Sequence, residues 1–516
     1  MSTSVVEPTR EPQIVPPKEP FQHWLKIVAL AAVVVALAVG VGVWLRYSPF
    51  ARGPVLQNLE EASDSQVTVR SFREVHFPFP GCVLDGVTFR HGKAANPPLI
   101  TIDRLTVRGS YLGMLRRHVS KVTAEGMRIT VAPFGENEPL KTIPSKNVYE
   151  EIVADGAVLE FMPDDPKEKP VQFDIHQATL RDVSWSAPMK YKVAVHNPLP
   201  PGEVRAEGEF GVWREENPGL TPLSGDYTFD KADLGVYEGV AGTLSSKGKF
   251  GGTLKHIDIG GSIDIPDFEV QHAHHEVRLQ ADFTAYVDGV RGDTYLQRVD
   301  ARFKKTRVIA SGSVAGIPGR KGKTALLQIS TQHGRIEDML GLFANAPKAA
   351  MTGPAAIQAK VEIPTSDEPF LKKVKIEGNF GVDDGTFTKP QTQTDVNQLS
   401  AGARGDKKDE AVDVVSDLKG KATVVAGMAA FSDLSFGIPG AAAKMHGTYS
   451  LIDYKVDLHG TMQVDSKISN TTTGMKSMVL KVIDPFFKKK RKQGEVVPVH
   501  IGGTYDKPTF GLDLAK

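Results

Sequence analysis

Cysteine is nearly absent: Cys82 is the single one in 516 residues. That excludes an internal disulfide, a cysteine-based zinc site and a cysteine-held iron–sulfur cluster, and leaves the compartment open. Charge of one sign is not in excess either. Lysine and arginine total 62 against 61 for aspartate and glutamate, a net charge of +1, whereas a dedicated nucleic-acid binder is strongly basic. Catalytic signatures are missing as well, with no Gly-x-Ser-x-Gly, His-Glu-x-x-His or Cys-x-x-Cys. Gly316 to Thr324 imitates a phosphate loop but has five residues between Gly316 and Gly322 instead of four. Strand-like sequence flanks it, where a phosphate loop opens a helix, so it reads as a hairpin turn. Of His272, His274, His275 and Glu276, only His272 and His274 would converge as ligands, and no second cluster follows nearby. Asp164-Asp165 and Asp383-Asp384 sit beside proline or glycine and read as turns. The expectation is no enzyme, no cofactor, no metal and no nucleic-acid partner.

Long apolar runs are scarce too, and there is one exception. After a proline-rich tail (1–23), Ile27 to Leu45 is a run of 19 residues without a charge, flanked by Trp24 and Trp44. A helix of that length spans about 28 Å, close to the hydrocarbon core of a bilayer. A cleaved signal peptide turns polar soon after its cleavage box. Here the run continues beyond Ala36-Leu37-Ala38 to Leu45, so we read 24–46 as an uncleaved single-pass anchor. Everything after it is then exported.

What the body of the chain does have is alternation. Ile257, Ile259, Ile263 and Ile265 face one way, and Asp258, Ser262 and Asp264 the other. Val277, Leu279, Ala281, Phe283, Ala285 and Val287 alternate with polar residues, as do Ile357, Ala359, Val361 and Ile363. A further run carries Ile452, Tyr454, Val456, Leu458, Met462 and Val464 on one face. Period two with one solvated face means antiparallel sheet. With 49 glycines and 34 prolines, many short strands and turns are expected. A glycine–polar–apolar word recurs at Gly208, Gly225, Gly248, Gly261, Gly312, Gly378, Gly447, Gly460 and Gly503. Its irregular spacing leaves open whether it marks strand entries or something deeper.

Helices are few: Ser110–Arg117, Ile336–Phe343 and an amphipathic segment at 474–486. In the last, Met475, Met478, Val479, Val482, Ile483 and Phe486 form one stripe, followed by Lys488, Lys489, Lys490, Arg491 and Lys492. The stripe either caps the sheet's open end or, with the basic run, contacts a membrane. So few helices do not cover so much strand. The sheet must close on itself, or curl into a trough whose apolar floor holds a ligand.

Several segments resemble AsmA-like envelope proteins. Near the start these are FPGCVLDGV (79–87) and LITIDRLTVRGSYLGMLRRHVSKVTAEGMRITV (99–131). Towards the end they are MTGPAAIQAKVEIP (351–364), the stretches 374–400 and 431–469, and the closing PVHIGGTYDKPTFGLDL (498–514). The resemblance implies a mainly β chain: an N-terminal transmembrane helix, then a long curled antiparallel sheet forming a repeating β-groove with a few short helices. The divisions would be an N-terminal module (47–135), middle groove repeats (136–350) and a C-terminal region (351–516). It further implies residence in a bacterial inner membrane with the C-terminal region in the periplasm. The implied partners are phospholipid, the inner membrane, and outer-membrane or envelope proteins. The groove candidates are Ile257, Ile259, Ile263, Ile265, Val277, Leu279, Phe283, Tyr454, Val456, Leu458 and Met462. The competing reading is a non-enzymatic envelope scaffold or assembly factor with a closed, dry core.

Overall fold

A computed structural model describes residues 52–513, except 64, 76–77, 91–98, 111–117, 132–147, 162–169, 184–186, 213, 215–217, 290–291, 318–321, 344–347, 367, 405–412, 465–495 and 505–506. The apolar run 27–45, the segment 111–117 and the stripe 474–486 with its basic run therefore lie outside the described residues. Among those described, no helix is long and apolar enough to cross a membrane.

The protein is mainly β, one large curled sheet with a few short helices. Its first part holds helix α1 (Arg52–Ser63), then β1 (Gln66–Val75), β2 (Gly81–Arg90), β3 (Ile100–Gly109), β4 (His118–Glu125), β5 (Arg128–Val131), β6 (Val148–Phe161) and β7 (Val171–Val183). The middle holds β8 (Met189–Pro198), β9 (Pro201–Phe210), β10 (Pro222–Asp233), β11 (Val240–Ala241), β12 (Thr243–Thr253) and β13 (His256–Val270). It continues with β14 (Val277–Asp288), β15 (Asp293–Phe303), β16 (Thr306–Gly316), β17 (Lys323–Arg335) and helix α2 (Ile336–Phe343). The last part holds β18 (Met351–Thr352), β19 (Pro354–Ile363), α3 (Phe370–Lys373), β20 (Lys375–Phe387), α4 (Pro390–Arg404), β21 (Ser416–Val425) and β22 (Met428–Ile438). It ends with β23 (Ala441–Ser450), β24 (Val456–Val464), β25 (Val496–Gly503) and β26 (Pro508–Leu512).

Nearly all neighbours pair antiparallel in chain order, as the half-solvated alternation requires. The exception is near the start. β4 and β5 both pair antiparallel with β3 and parallel with β6, forming one interrupted strand between them. Gly126 breaks that strand with a φ of +60°.

The core is unevenly distributed. In the first part α1 lays Val55 and Leu59 over the sheet, where they pack with Leu84, Val87, Phe89 and Ile100 in a closed cluster reaching through β6 to Met189. A second closed cluster joins Val396 and Ala403 of α4 to Ile438, Ala441, Met462 and Val464. A third sets Met339 and Leu342 of α2 against Val270, Val277 and Phe303. Both helices follow strands that run the same way, so they seal one rim of the sheet. Asp338 of α2 fixes that seal: its carboxylate accepts from the Lys305 N–H at 2.9 Å and the Thr306 hydroxyl at 2.8 Å. α4 is anchored by the Ser400 hydroxyl, which donates to the Pro439 carbonyl at 2.7 Å.

The recurring glycines prove to be structural joints. Gly208 pairs directly with Gly225, and Gly248 with Gly261, in mid-sheet. A Cβ at Gly248 would collide with the Gly260 carbonyl, and one at Gly261 with the Lys247 carbonyl. Such pairs let the backbones approach more closely than any side chain permits, which bends the sheet. Bulges between Phe229 and Ala232, Ile265 and Phe268, and Thr331 and Gly334 add to the curl. The curl carries distant turns together. The Tyr454 hydroxyl meets His272 Nε2 at 2.7 Å, and Lys373 Nζ donates to Glu238 at 2.9 Å.

Candidate functional site: a half-open apolar groove

Between the first and second closed clusters, with the third sealing its α2 rim, the concave face of β8 to β17 is apolar and half-buried. β10 contributes Leu223, Tyr227 and Phe229, β12 contributes Leu244 and Phe250, and β13 contributes Ile257, Ile259 and Ile263. β15, β16 and β17 add Leu296, Val299, Val308, Leu327 and Ile329, all half-buried as well. Register puts these residues side by side: Phe250 opposite Ile259, Ile259 opposite Ala285, Ile263 opposite Ala281. Neighbouring strands spaced about 4.8 Å apart make this floor roughly 40 Å long, measured along the curl.

The glycine joints shape the floor as well as bend it. A Cβ at Gly225 would lie 2.5 Å from the Tyr191 hydroxyl and 3.1 Å from the Phe250 ring, and one at Gly261 would lie 2.7 Å from the Tyr227 hydroxyl. The aromatic rings lie across the glycines and smooth the surface where a side chain is missing. Their polar tips are satisfied within the wall: Tyr191 donates to the Ser224 carbonyl at 3.1 Å, and Tyr227 shares a hydrogen bond with Ser246 at 3.0 Å. Burial, helped by the charge of Asp226, pushes the Tyr191 phenol up to about 12. Burial also raises Tyr227, against the opposing effect of the Ser246 hydrogen bond. Among the described residues the floor is a low-polarity surface with no charged group facing its centre. The convex face carries the charge in cross-strand pairs such as Arg278 with Asp264 at 2.9 Å and Lys421 with Glu377 at 2.9 Å.

The residues expected on the floor divide into three sets. Ile257, Ile259, Ile263, Leu279 and Phe283 lie on it half-buried, while Ile265 and Val277 are buried towards the helix-sealed rim. Val456, Leu458 and Met462 line the concave side of the last part, where Met462 belongs to the closed cluster under α4 and Leu458 packs against it. Tyr454 is a correction: it is not on a strand at all. It occupies the turn before β24 with a φ of +58°, and its ring stacks on His272. The alternation continued through it because a turn residue with an apolar neighbour two positions on mimics a strand. Ile452 in the same turn is exposed. His272 is committed to Tyr454, and His274 sits in an exposed turn with a φ of +54°. Gly316 and Lys323 end and begin adjacent strands, so the phosphate-loop imitation is a hairpin connection. Asp383-Asp384 is a second correction, since the pair lies within β20 at a bulge and not in a connecting turn.

The sequence reading missed Tyr191, Leu223, Tyr227 and Phe250. The same period-two signal is present around each of them, and at Leu223, Tyr227 and Phe250 it is interrupted by glycines on the same face. No family model matches the chain, and no curated protein matches it.

Proposed function

We propose that this is a membrane-anchored, periplasmic lipid-binding protein that holds phospholipid acyl chains in the groove and moves them between the inner and outer membranes. The observation that carries the reading is the half-buried apolar floor of β8 to β17, lying between regions whose cores are closed. An apolar strip of that length left to water is a liability unless something covers it. Acyl chains fit the need: at ~0.8 kcal/mol per methylene, one sixteen-carbon chain gains about 10 kcal/mol gross. The 19-residue apolar run Ile27–Leu45 supplies the anchor, and the AsmA-like segments supply the compartment. The chain acts without catalysis in this reading. The scaffold alternative draws its support from the closed cores at either end of the groove.

Lipid extraction and mass spectrometry of purified residues 47–516 tests the proposal. Phospholipid at a fixed ratio to protein is the expected result. Ile263→Asp, on the floor, should remove it while circular dichroism stays unchanged, because an emptied groove admits water. Protein that purifies free of lipid, or an Ile263→Asp variant that unfolds, would assign the chain to the scaffold class.

A further inference from the structure

The convex face of the last strands carries a different chemistry. His446 of β23 pairs with His459 of β24, and His459 pairs with His500 of β25, so register sets three imidazoles in one cross-strand row. The rings of His459 and His500 stack with centroids 4.5 Å apart, and His446 stands 6.4 Å from His459. Asp457, two residues before His459 and therefore on the same face, completes the cluster. Its Oδ1 lies 3.1 Å from His459 Nε2 and 2.9 Å from His500 Nε2. One ligand atom from each of these three residues lies within 4.8 Å of the other two.

Two features favour a cation over a simple ion-pair cluster. Ligands held at about 2.0–2.1 Å on a tetrahedral ion stand roughly 3.3 Å from one another, and Oδ1 lies 3.1 Å and 2.9 Å from the two Nε2 atoms. Behind His459, its Nδ1 hydrogen-bonds Asp513 Oδ2 at 2.9 Å. A carboxylate there keeps the proton on Nδ1 and turns the Nε2 lone pair outward, the usual support of a metal-bound histidine. Where the Nε2 atoms of both rings carry no proton, Asp457 faces two nitrogen lone pairs, and a cation between them satisfies all three groups. Asp513 is itself placed by the fold: its N–H donates to the Pro498 carbonyl at 3.3 Å, just past β26.

We propose that Asp457, His459 and His500 bind one divalent transition-metal ion, with Asp513 orienting His459 and water in the remaining position. Two imidazoles and one carboxylate select zinc and its neighbours over magnesium or calcium. His459 and His500 are only partly covered, with side-chain exposures of 38% and 34%, so ion and water have access. The ion would tie β24 to β25, strands that residues 465–495 separate in the chain, and so fasten the end of the sheet without a disulfide.

The test uses the full chain in detergent, stripped by a chelator and titrated with Zn²⁺ against a chromophoric competitor. The expected result is one high-affinity ion per chain. His500→Ala and the isosteric Asp457→Asn should lose that ion, while Asp513→Asn keeps the stoichiometry with affinity about tenfold or more weaker. Zinc should raise the melting temperature of the parent and not of His500→Ala. Absence of stoichiometric binding by the parent, or equal binding by the parent and His500→Ala, overturns the proposal. The metal-free variants should melt with the metal-free parent, since these side chains lie on the solvent face.

Discussion

The same alternation of apolar and polar residues is treated in opposite ways by two stretches of one sheet. In β2 and β3, Leu84, Val87, Phe89 and Ile100 are each 0% exposed. In β12 and β13, Phe250, Ile257, Ile259 and Ile263 stay half-open. Strand pattern does not separate them; what stands opposite the strands does. In the first part α1 contributes Val55 and Leu59, and the parallel insertion of β4 and β5 beside β6 brings further apolar side chains into the same cluster. In the middle the concave positions alternate bulky residues with Gly208, Gly225, Gly248 and Gly261, which pair in twos. Among the described residues, nothing of comparable bulk faces them. A strand face is closed by its partner layer, and among the described residues the middle of this sheet has none over most of its length.

One identical charge placed in both stretches should break the comparison most sharply. Phe89→Asp removes a ring from a closed core, worth about 3–5 kcal/mol by itself, and adds a carboxylate with no partner. The first part should lose its cooperative melting transition. Ile263→Asp should leave that transition in place and act on bound lipid alone. Calorimetry of the two variants checks this, and equal destabilisation would mean the groove is as dry as the N-terminal core.

Cys82 offers a probe of the closed side. Burial, with a smaller contribution from Glu74, pushes its thiol up to about 12, so almost no thiolate is present at pH 8. Native protein should resist alkylation at that pH, and the label should appear along the denaturation curve of the first part. A cysteine introduced at Ile259, on the open floor, should react in the native state and be shielded when lipid is added. Rapid labelling of native Cys82 would show that the first part opens as readily as the groove.

Much of the fold was legible before the structure. The alternation from Val277 to Val287 is β14, and IEDMLGLF is α2, because both signals are local: one period, one set of neighbours. α4 escaped notice because PQTQTDVNQLSAGAR shows no broad apolar stripe. Its seat comes from Val396 and Ala403 and from polar anchors such as Asn397 Nδ2 to Asp413 at 2.7 Å. The site was half legible. Isoleucines of β13 could be assigned to one face, yet whether that face is open depends on pairs such as Gly248 with Gly261, which register alone creates. The histidine row escaped for the same reason, since His459 and His500 meet only once β24 and β25 are paired.

The glycine joints are the next place to press. Gly260 and Gly261 are sequence neighbours on opposite faces of β13. An alanine Cβ at Gly260 meets nothing closer than the Phe283 carbonyl at 3.5 Å, whereas at Gly261 it runs into the Lys247 carbonyl. Gly261→Ala should therefore cost about 1–3 kcal/mol through backbone displacement, the usual scale of overpacking, and lower lipid content by flattening the curl. Gly260→Ala should be close to neutral. Equal melting temperatures for the two variants would remove the glycines from any role in bending the sheet.

The smallest effect is expected on the convex wall, where charge contributes to the fold and not to the guest. Asp300 of β15 is contacted by Arg307, whose Nε donates to it at 2.7 Å, and by Arg298 and Arg302. The Arg307 hydrogen bond holds this carboxyl well below its ordinary value of 3.8, at about 2. A carboxyl whose folded value is depressed stabilises the fold above its unfolded value, and that contribution is lost as pH falls through the folded one. Asp300→Asn should thus lower the melting temperature modestly at pH 7, and the gap between variant and parent should close between pH 4 and pH 2. Salt should shrink the gap as well, because the guanidinium groups reach into solvent. Under the proposed function lipid content should not change, since the wall that carries this charge is not the one assigned to the acyl chain. A loss of lipid in Asp300→Asn would show that the two faces are coupled through the strand, and the division between a structural outer face and a binding inner face would fail.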